Sequence, residues 1–164
     1  MNFSIDDIDY LGQLYRHERH NSYVYSQVSN FLNVQGYKKL AKYYEDWSQH
    51  EIEHSMKVRD FANANNILID MNQDIKPLDM DLSNQSITTF AKITVDVENE
   101  TSEMYDVYLK MGIKDGNSFI QRFCYDFQLE QIEETDKATS IFDSVKNIGD
   151  NRSMLQLFDN SFEG

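Results

Sequence analysis

The stretch 46-DWSQHEIEHSMK-57 decides how this chain is read. It lies on a stripe of Leu40, Tyr44, Trp47, Glu51, His54, Val58 and Phe61. The alternation of four and three residues along that stripe is the period of a helix seam inside a bundle. Two members, Glu51 and His54, are a carboxylate and an imidazole where the period asks for apolar side chains. A core accepts such groups only if something offsets the cost of taking them out of water.

Working outward, three more long helices are predicted. "SIDD" offers Ser4 with Asp7 as a capping pair, and Ile8, Leu11, Tyr15, Glu18, Ser22, Tyr25 and Leu32 carry a helical row to about Asn33. The second helix begins near "GYKKL", after Gly36. Residues 66–84 lose the period, contain Pro77 and read as a long connection, with scattered Ile, Leu and Met to lie along a bundle surface. A third helix runs from about Ser86 to Met111 and stops at Gly112. After the turn "KDGNS", Asn117 or Ser118 caps a fourth helix to about Asn147, and Gly149 ends it. Its inward row is Ile120, Phe123, Phe127, Gln131, Glu134, Ala138, Ile141 and Val145. The tail, 151–164, holds a short fifth helix with Met154, Leu155, Leu157 and Phe158 as its apolar residues. Short links within two helix pairs and one long link between them describe an all-α four-helix bundle with a crossover between helices 2 and 3.

The composition agrees. A chain of 164 residues, 40% hydrophobic and 26% charged, is one domain large enough to bury a core. One Pro and six Gly are too few for many short strands. The net charge of −13 and the lack of a basic run argue against nucleic acid as a partner and suit an affinity for cations. Cys124 is the only cysteine, so no intrachain disulfide forms, and the thiol is expected to fill the core. No signal peptide and no membrane-length apolar run is visible, so a cytoplasmic protein is expected.

Glu18, Glu51, His54 and Glu134 fall on the seams of three helices, and none of the four seam rows contains a Lys or Arg. Buried salt bridges therefore do not explain them. Four protonated acids together would be an odd solution, which leaves bound cations. Glu51 and His54, three apart, supply two ligands from one helix face, and mixed carboxylate and imidazole donors suit iron or manganese. On the third helix Glu100 continues the row of Phe90, Ile93, Val97, Met104 and Met111, while Glu98 shares a face with Ala91, Val95, Thr101 and Tyr105. Periodicity alone slightly favours Glu100.

These residues resemble those of the non-haem bacterial ferritins. "ERHNSYVY" resembles the family's first-helix Glu followed seven residues later by Tyr, and "HEIEHSMKVRDFAN" its second-helix ExxH segment. "VENE" with Gln131 in "EQIEE", 33 residues after Glu98, is similar to the family spacing and selects Glu98 over Glu100. The resemblance implies two iron ions per subunit: one held by Glu18, Glu51 and His54, the other by Glu51 as bridge with Glu98 and Glu134. It places Gln131 beside the second ion, and gives Tyr25 the part of hydrogen-bonding a ligand or giving up an electron. It also implies a third, weaker iron position, for which Glu130 and Glu133 match two glutamates while His50 stands in the third place. Ile52 occupies the position of the bacterioferritin haem-ligand methionine, so no haem is expected.

The function implied is iron storage and detoxification. Fe²⁺ would be oxidised by O₂ or H₂O₂ at the di-iron ferroxidase centre, and the ferric product kept as mineral in a homo-oligomeric cage of about 24 subunits. A di-iron oxidase or oxygenase acting on an organic substrate, without mineral storage, is the alternative. A metal-free structural bundle is a third reading, which leaves the acids uncompensated. His17 and His20 are expected at solvent or an interface, and Met154, Leu157 and Phe158 against a neighbouring subunit.

Overall fold

The computed structural model describes residues 3–73 and 86–164. Pro77 and most of the expected connection lie outside them. Five helices form: α1 Ile5–Gln35, α2 Lys38–Ala64, α3 Ile87–Lys114, α4 Ser118–Ile148 and α5 Arg152–Ser161. None is long and apolar enough to cross a membrane among the described residues. At 1.5 Å per residue the four long helices run about 40–46 Å.

The boundaries follow local chemistry. Ser4 and Asp7 close a reciprocal capping box: Ser4 Oγ accepts from the Asp7 N–H at 3.1 Å, and Asp7 Oδ2 accepts from the Ser4 N–H at 2.8 Å. Gly36, at φ 91°, ends α1 in the left-handed conformation. Of the two candidate caps for α4, it is Asn117, whose Oδ1 accepts from the Phe119 and Ile120 N–H groups. The third helix does not stop at Gly112 but continues to Lys114. Gly112 is there for packing. A Cβ at that position would lie 2.6 Å from Ile120 Cγ2, so a bare backbone is what lets the last turn of α3 touch the first turn of α4.

Contacts between helices set the topology. Ser22 meets Ser48 and Ser29 meets Ala41, so α1 and α2 are antiparallel. Tyr10 reaches Met104 while Tyr25 reaches Glu98, making α1 and α3 antiparallel as well. Lys57 meets Glu130 and His50 meets Glu134, which sets α4 against α2 in the same sense. It follows that α2 and α3 are parallel, and the chain between Ala64 and Ile87 must connect opposite ends of the bundle. Its described start shows how: Ile67 and Ile69 are buried against the bundle, while Leu68 between them faces out.

The apolar core is divided. One cluster gathers Tyr25, Val28, Leu32, Leu40, Tyr44, Trp47, Phe90, Ile141 and Val145 toward one end. The other gathers Leu11, Leu14, Val58, Tyr105, Tyr108, Ile120, Phe123 and Phe127 toward the other. Between them lies a polar layer.

The short tail is tied to α2. The α2 N-cap, Tyr37, offers no side-chain hydrogen bond. Asp159 of α5 supplies it from across the fold, its Oδ1 accepting from the Leu40 N–H at 2.8 Å and its Oδ2 from the Lys39 N–H at 3.4 Å. The carboxylate is 1% exposed. It satisfies orphan donors and places negative charge at the positive end of the helix dipole. Leu155 is buried and Phe158 partly so, whereas Met154 and Leu157 remain 48% and 61% exposed. Asp159→Ala is expected to lower stability by about 1 kcal/mol and to speed hydrogen exchange at the Leu40 amide. Unfolding in denaturant with exchange mass spectrometry checks both.

Candidate metal centre

Three of the seam acids reach the polar layer from helices already argued: Glu18 on α1, Glu51 on α2 and Glu134 on α4, with relative exposures of 0%, 1% and 6%. On α3 the buried acid is Glu98, at 1%, and Glu100 is exposed. The α3 seam thus passes through Ala91, Thr94, Glu98, Thr101 and Tyr105, and beyond Phe90 the rival row is half-buried at most. His54 is buried to 1% and completes the set.

Glu18, Glu51 and His54 each point a ligand atom so that all three lie within 4.8 Å of one another. His54 Nδ1 is 3.9 Å from Glu18 Oε2 and 3.9 Å from Glu51 Oε2, too long for hydrogen bonds and suited to an ion between them. Glu98 lies across the layer, accepting from Tyr25 Oη and from Gln131 Nε2, which also reaches the Glu98 carbonyl at 3.1 Å. Glu134 Oε1 is 3.0 Å from His50 Nε2 and 3.7 Å from His54 Nε2. A second group, His50, His54 and Glu130, also brings its ligand atoms within 4.8 Å. Glu133 is exposed and belongs to neither group.

The tyrosines show a symmetry that sequence reasoning missed. Tyr25 follows Glu18 by seven residues, and Tyr105 follows Glu98 by seven. Because α1 and α3 run antiparallel, each tyrosine reaches the other helix's acid: Tyr25 donates to Glu98, and Tyr105 donates to Glu18 Oε1 at 2.6 Å. The repeated spacing of seven was the available signal. Asn21 adds bonds to Thr101 Oγ1 at 3.0 Å and, more weakly, to Glu51 Oε2 at 3.5 Å. His17, expected at solvent or an interface, makes a contact within the chain. It is half-buried, its Nε2 2.8 Å from Thr101 Oγ1, so it braces α1 against α3 instead of facing solvent.

Electrostatics of the layer are those of acids kept from water. Burial raises the pKa of Glu18 despite the Tyr105 bond and the nearby His54. Burial and then the Glu18 and Glu98 charges push Glu51 well above the carboxylate range. Burial pushes Glu98 up to about 8, against the opposing pull of Tyr25. Glu130, at the rim, is different: partial burial raises it, but Lys57 and His54 together hold it below its usual value. Glu18 Oε2, Glu51 Oε1 and Glu134 Oε2 are buried without a hydrogen-bond donor among the described residues, while Glu134 Oε1 has His50 Nε2 at 3.0 Å. Among the described residues, the only cationic side chains within ion-pair distance of these three acids are His50 and His54. Hard oxygen donors with free lone pairs, plus the Nδ1 side of one imidazole, fit Fe²⁺, Mn²⁺ or a similar divalent ion. A surface cavity of about 310 Å³, lined by Tyr43, Asp46, Trp47, His50, Glu134 and Lys137, adjoins Glu134.

A sequence profile of the ferritin family, described as a ferritin-like domain, matches residues 8–148. The chain belongs to the ferritin family. Its fold matches an iron-soaked variant of PmFTN with a TM-score of 0.91 at 23% identity, covering 97% of this chain and 100% of that one. It also matches an open pore ferritin of the hyperthermophilic archaeon Archaeoglobus fulgidus, with a TM-score of 0.89 at 19% identity over 96% and 94% of the two chains. At such identities the likeness to these structures is one of fold. No curated protein matches in sequence.

The raised carboxylates of this ferritin chain have a consequence for stability. Their folded-state pKa values lie above the unfolded value near 4.5, so the folded protein holds the extra protons. The stabilisation is complete below that value and is lost as pH rises through the folded ones, about 8 for Glu98. Metal-free protein should therefore melt at lower temperature at about pH 9 than at about pH 5. Glu98→Gln should remove part of that decline, and a divalent ion should reverse it. Circular dichroism melts across pH, with and without added ion, read all three.

Proposed function

We propose that this chain oxidises Fe²⁺ in the polar layer of its bundle and stores the ferric product within a closed cage of its own copies, in the cytoplasm. The observation that carries the reading is that Glu18 Oε2, Glu51 Oε1 and Glu134 Oε2 are buried carboxylate oxygens that no donor among the described residues meets. Apolar replacements of similar volume would cost less than such unpaired acids, so the acids are explained by what they bind.

Iron is the substrate in this reading. Glu18, Glu51 and His54 hold one ion, and Glu98 and Glu134 hold a second with Glu51 shared between the two. Two Fe²⁺ ions each surrender one electron to one O₂, which leaves with two protons as H₂O₂. The chain's own groups keep the donors in place: Tyr105 orients Glu18, and Tyr25 and Gln131 orient Glu98. Raised carboxyl pKa values mean that cation binding displaces protons, supplying acid where oxygen is reduced. The cavity beside Glu134 has Asp46 and His50 in its wall along with Lys137, so it offers ligands for a cation beside one repelling charge. The net charge of −13 supplies carboxylates for ferric nucleation.

Glu51→Ala is expected to bring Fe²⁺ oxidation down to the uncatalysed background while leaving the helical spectrum unchanged. Stopped-flow absorbance with an oxygen electrode measures the first and circular dichroism the second; a mutant as fast as wild type would sink the assignment. Aerobic loading followed by native mass measurement decides storage. A cage holding far more than two irons per chain supports it, and a small oligomer that stops at two supports an oxidase acting on an organic substrate.

A further inference from the structure

Glu130 stands outside the row of buried acids, and the reading above gives it no part. Its carboxylate is fully engaged. Oε1 and Oε2 accept from Lys57 Nζ at 2.9 and 2.7 Å, and Oε2 lies 3.1 Å from His54 Nε2. An ionised carboxylate has no proton to give, so the imidazole must be the donor. With the proton on Nε2, the lone pair of His54 is on Nδ1, the atom that faces Glu18 and Glu51 at 3.9 Å. Phe127 braces both partners: its ring meets the imidazole edge-on at 5.4 Å, and Lys57 Nζ lies 5.6 Å from its centroid.

We propose that Glu130, anchored by Lys57, is a positioning residue for His54, selecting the tautomer that turns Nδ1 toward Glu18 and Glu51, and is not the ligand of a third iron. The inference rests on the reading of Glu18, Glu51 and His54 as an iron site. It deepens that reading, since a histidine ligand is set by what its other nitrogen bonds.

The competing use of Glu130 is the group it forms with His50 and His54. The two uses exclude each other. An ion bound at His54 Nε2 would force the proton onto Nδ1, which would then face two carboxylates and could bind nothing between them. The same ion would sit beside the Lys57 ammonium, whose contacts already occupy both Glu130 oxygens. Removing Lys57 from Glu130 costs the fold little, because both side chains are more than two-fifths exposed and such pairs stabilise weakly. The effect of the pair therefore falls on the ring it holds.

Two measurements on the full-length protein test this. Solid-state ¹⁵N spectra of histidine-labelled, metal-free protein read the His54 tautomer, with the signal assigned by its loss in His54→Gln. Titration with Co²⁺, followed by its visible spectrum, reads the number and affinity of sites. Wild type should show the Nε2–H form. Glu130→Ala should lose that preference and weaken the tightest Co²⁺ site by about 10–100-fold, with the number of ions per chain unchanged. Glu130→Gln, whose amide oxygen still accepts from Nε2, should restore most of the affinity. An Nδ1–H wild type overturns the proposal. So does a Glu130→Ala variant that keeps its tightest affinity and loses one ion, which is the signature of a third-site ligand. Wild type that binds no Co²⁺ would overturn the iron-site reading instead, and the tautomer comparison would still decide the part played by Glu130.

Discussion

Four carboxylates enclosed by four helices, with two histidines as the only basic side chains in ion-pair reach among the described residues, are the constraint around which the rest of this structure is arranged. Each carboxylate loses its water and gains, at best, one or two hydrogen bonds. For Glu18, Glu51 and Glu98 the remaining cost appears as raised pKa values, so that the folded protein holds protons there. Apart from the bonds that Tyr25, Tyr105 and Gln131 make across helices, such a layer adds little to holding the bundle together. The apolar clusters on either side of it must do that.

The division of the core follows. Stacked rings of Tyr25, Tyr44 and Trp47 close one side of the layer, and Tyr105, Phe123 and Phe127 close the other. Aromatic side chains suit that boundary because they bury large apolar area while Tyr keeps a hydroxyl to spend on the acids. Tyr25 and Tyr105 use theirs on Glu98 and Glu18. The same residues thus wall the centre and orient its donors. Long helices also matter here, since only elements of this length can carry a packed cluster above and below a polar layer.

Much of this was legible in the sequence. Helix period, the Ser4–Asp7 box and the sparse Gly and Pro set out the four helices, because capping and burial periodicity are local. Glu18, Glu51, His54 and Glu134 stood out for the same reason: each interrupts an otherwise apolar row. Glu98 did not, because α3 carries two plausible rows and periodicity does not say which one a partner helix will cover. What was illegible depends on distant residues. Gly112 reads as a helix stop until Ile120 is placed against it. Nothing local to Asp159 marks it as the cap of α2, because the amides it meets lie about 120 residues away. The tail's apolar residues divide the same way: Leu155 is used within the chain, while Met154 and Leu157 face out, where a neighbouring copy is still expected to meet them.

The rim of the centre shows how a fold tolerates such an interior. Glu130 differs from the four buried acids in being partly exposed and in having Lys57 within reach, and Lys57 together with His54 holds its pKa below the usual value. Had a Lys or Arg stood equally close to Glu18 or Glu51, the carboxylates would have been satisfied and the bundle more stable without metal. Their oxygens would then have had no reason to accept a cation. Among the described residues, a lysine stands at the edge of the layer, against Glu130, and none reaches Glu18 or Glu51 in its middle. The distribution of positive charge around the acids, more than the acids themselves, separates a metal centre from a salt-bridged core.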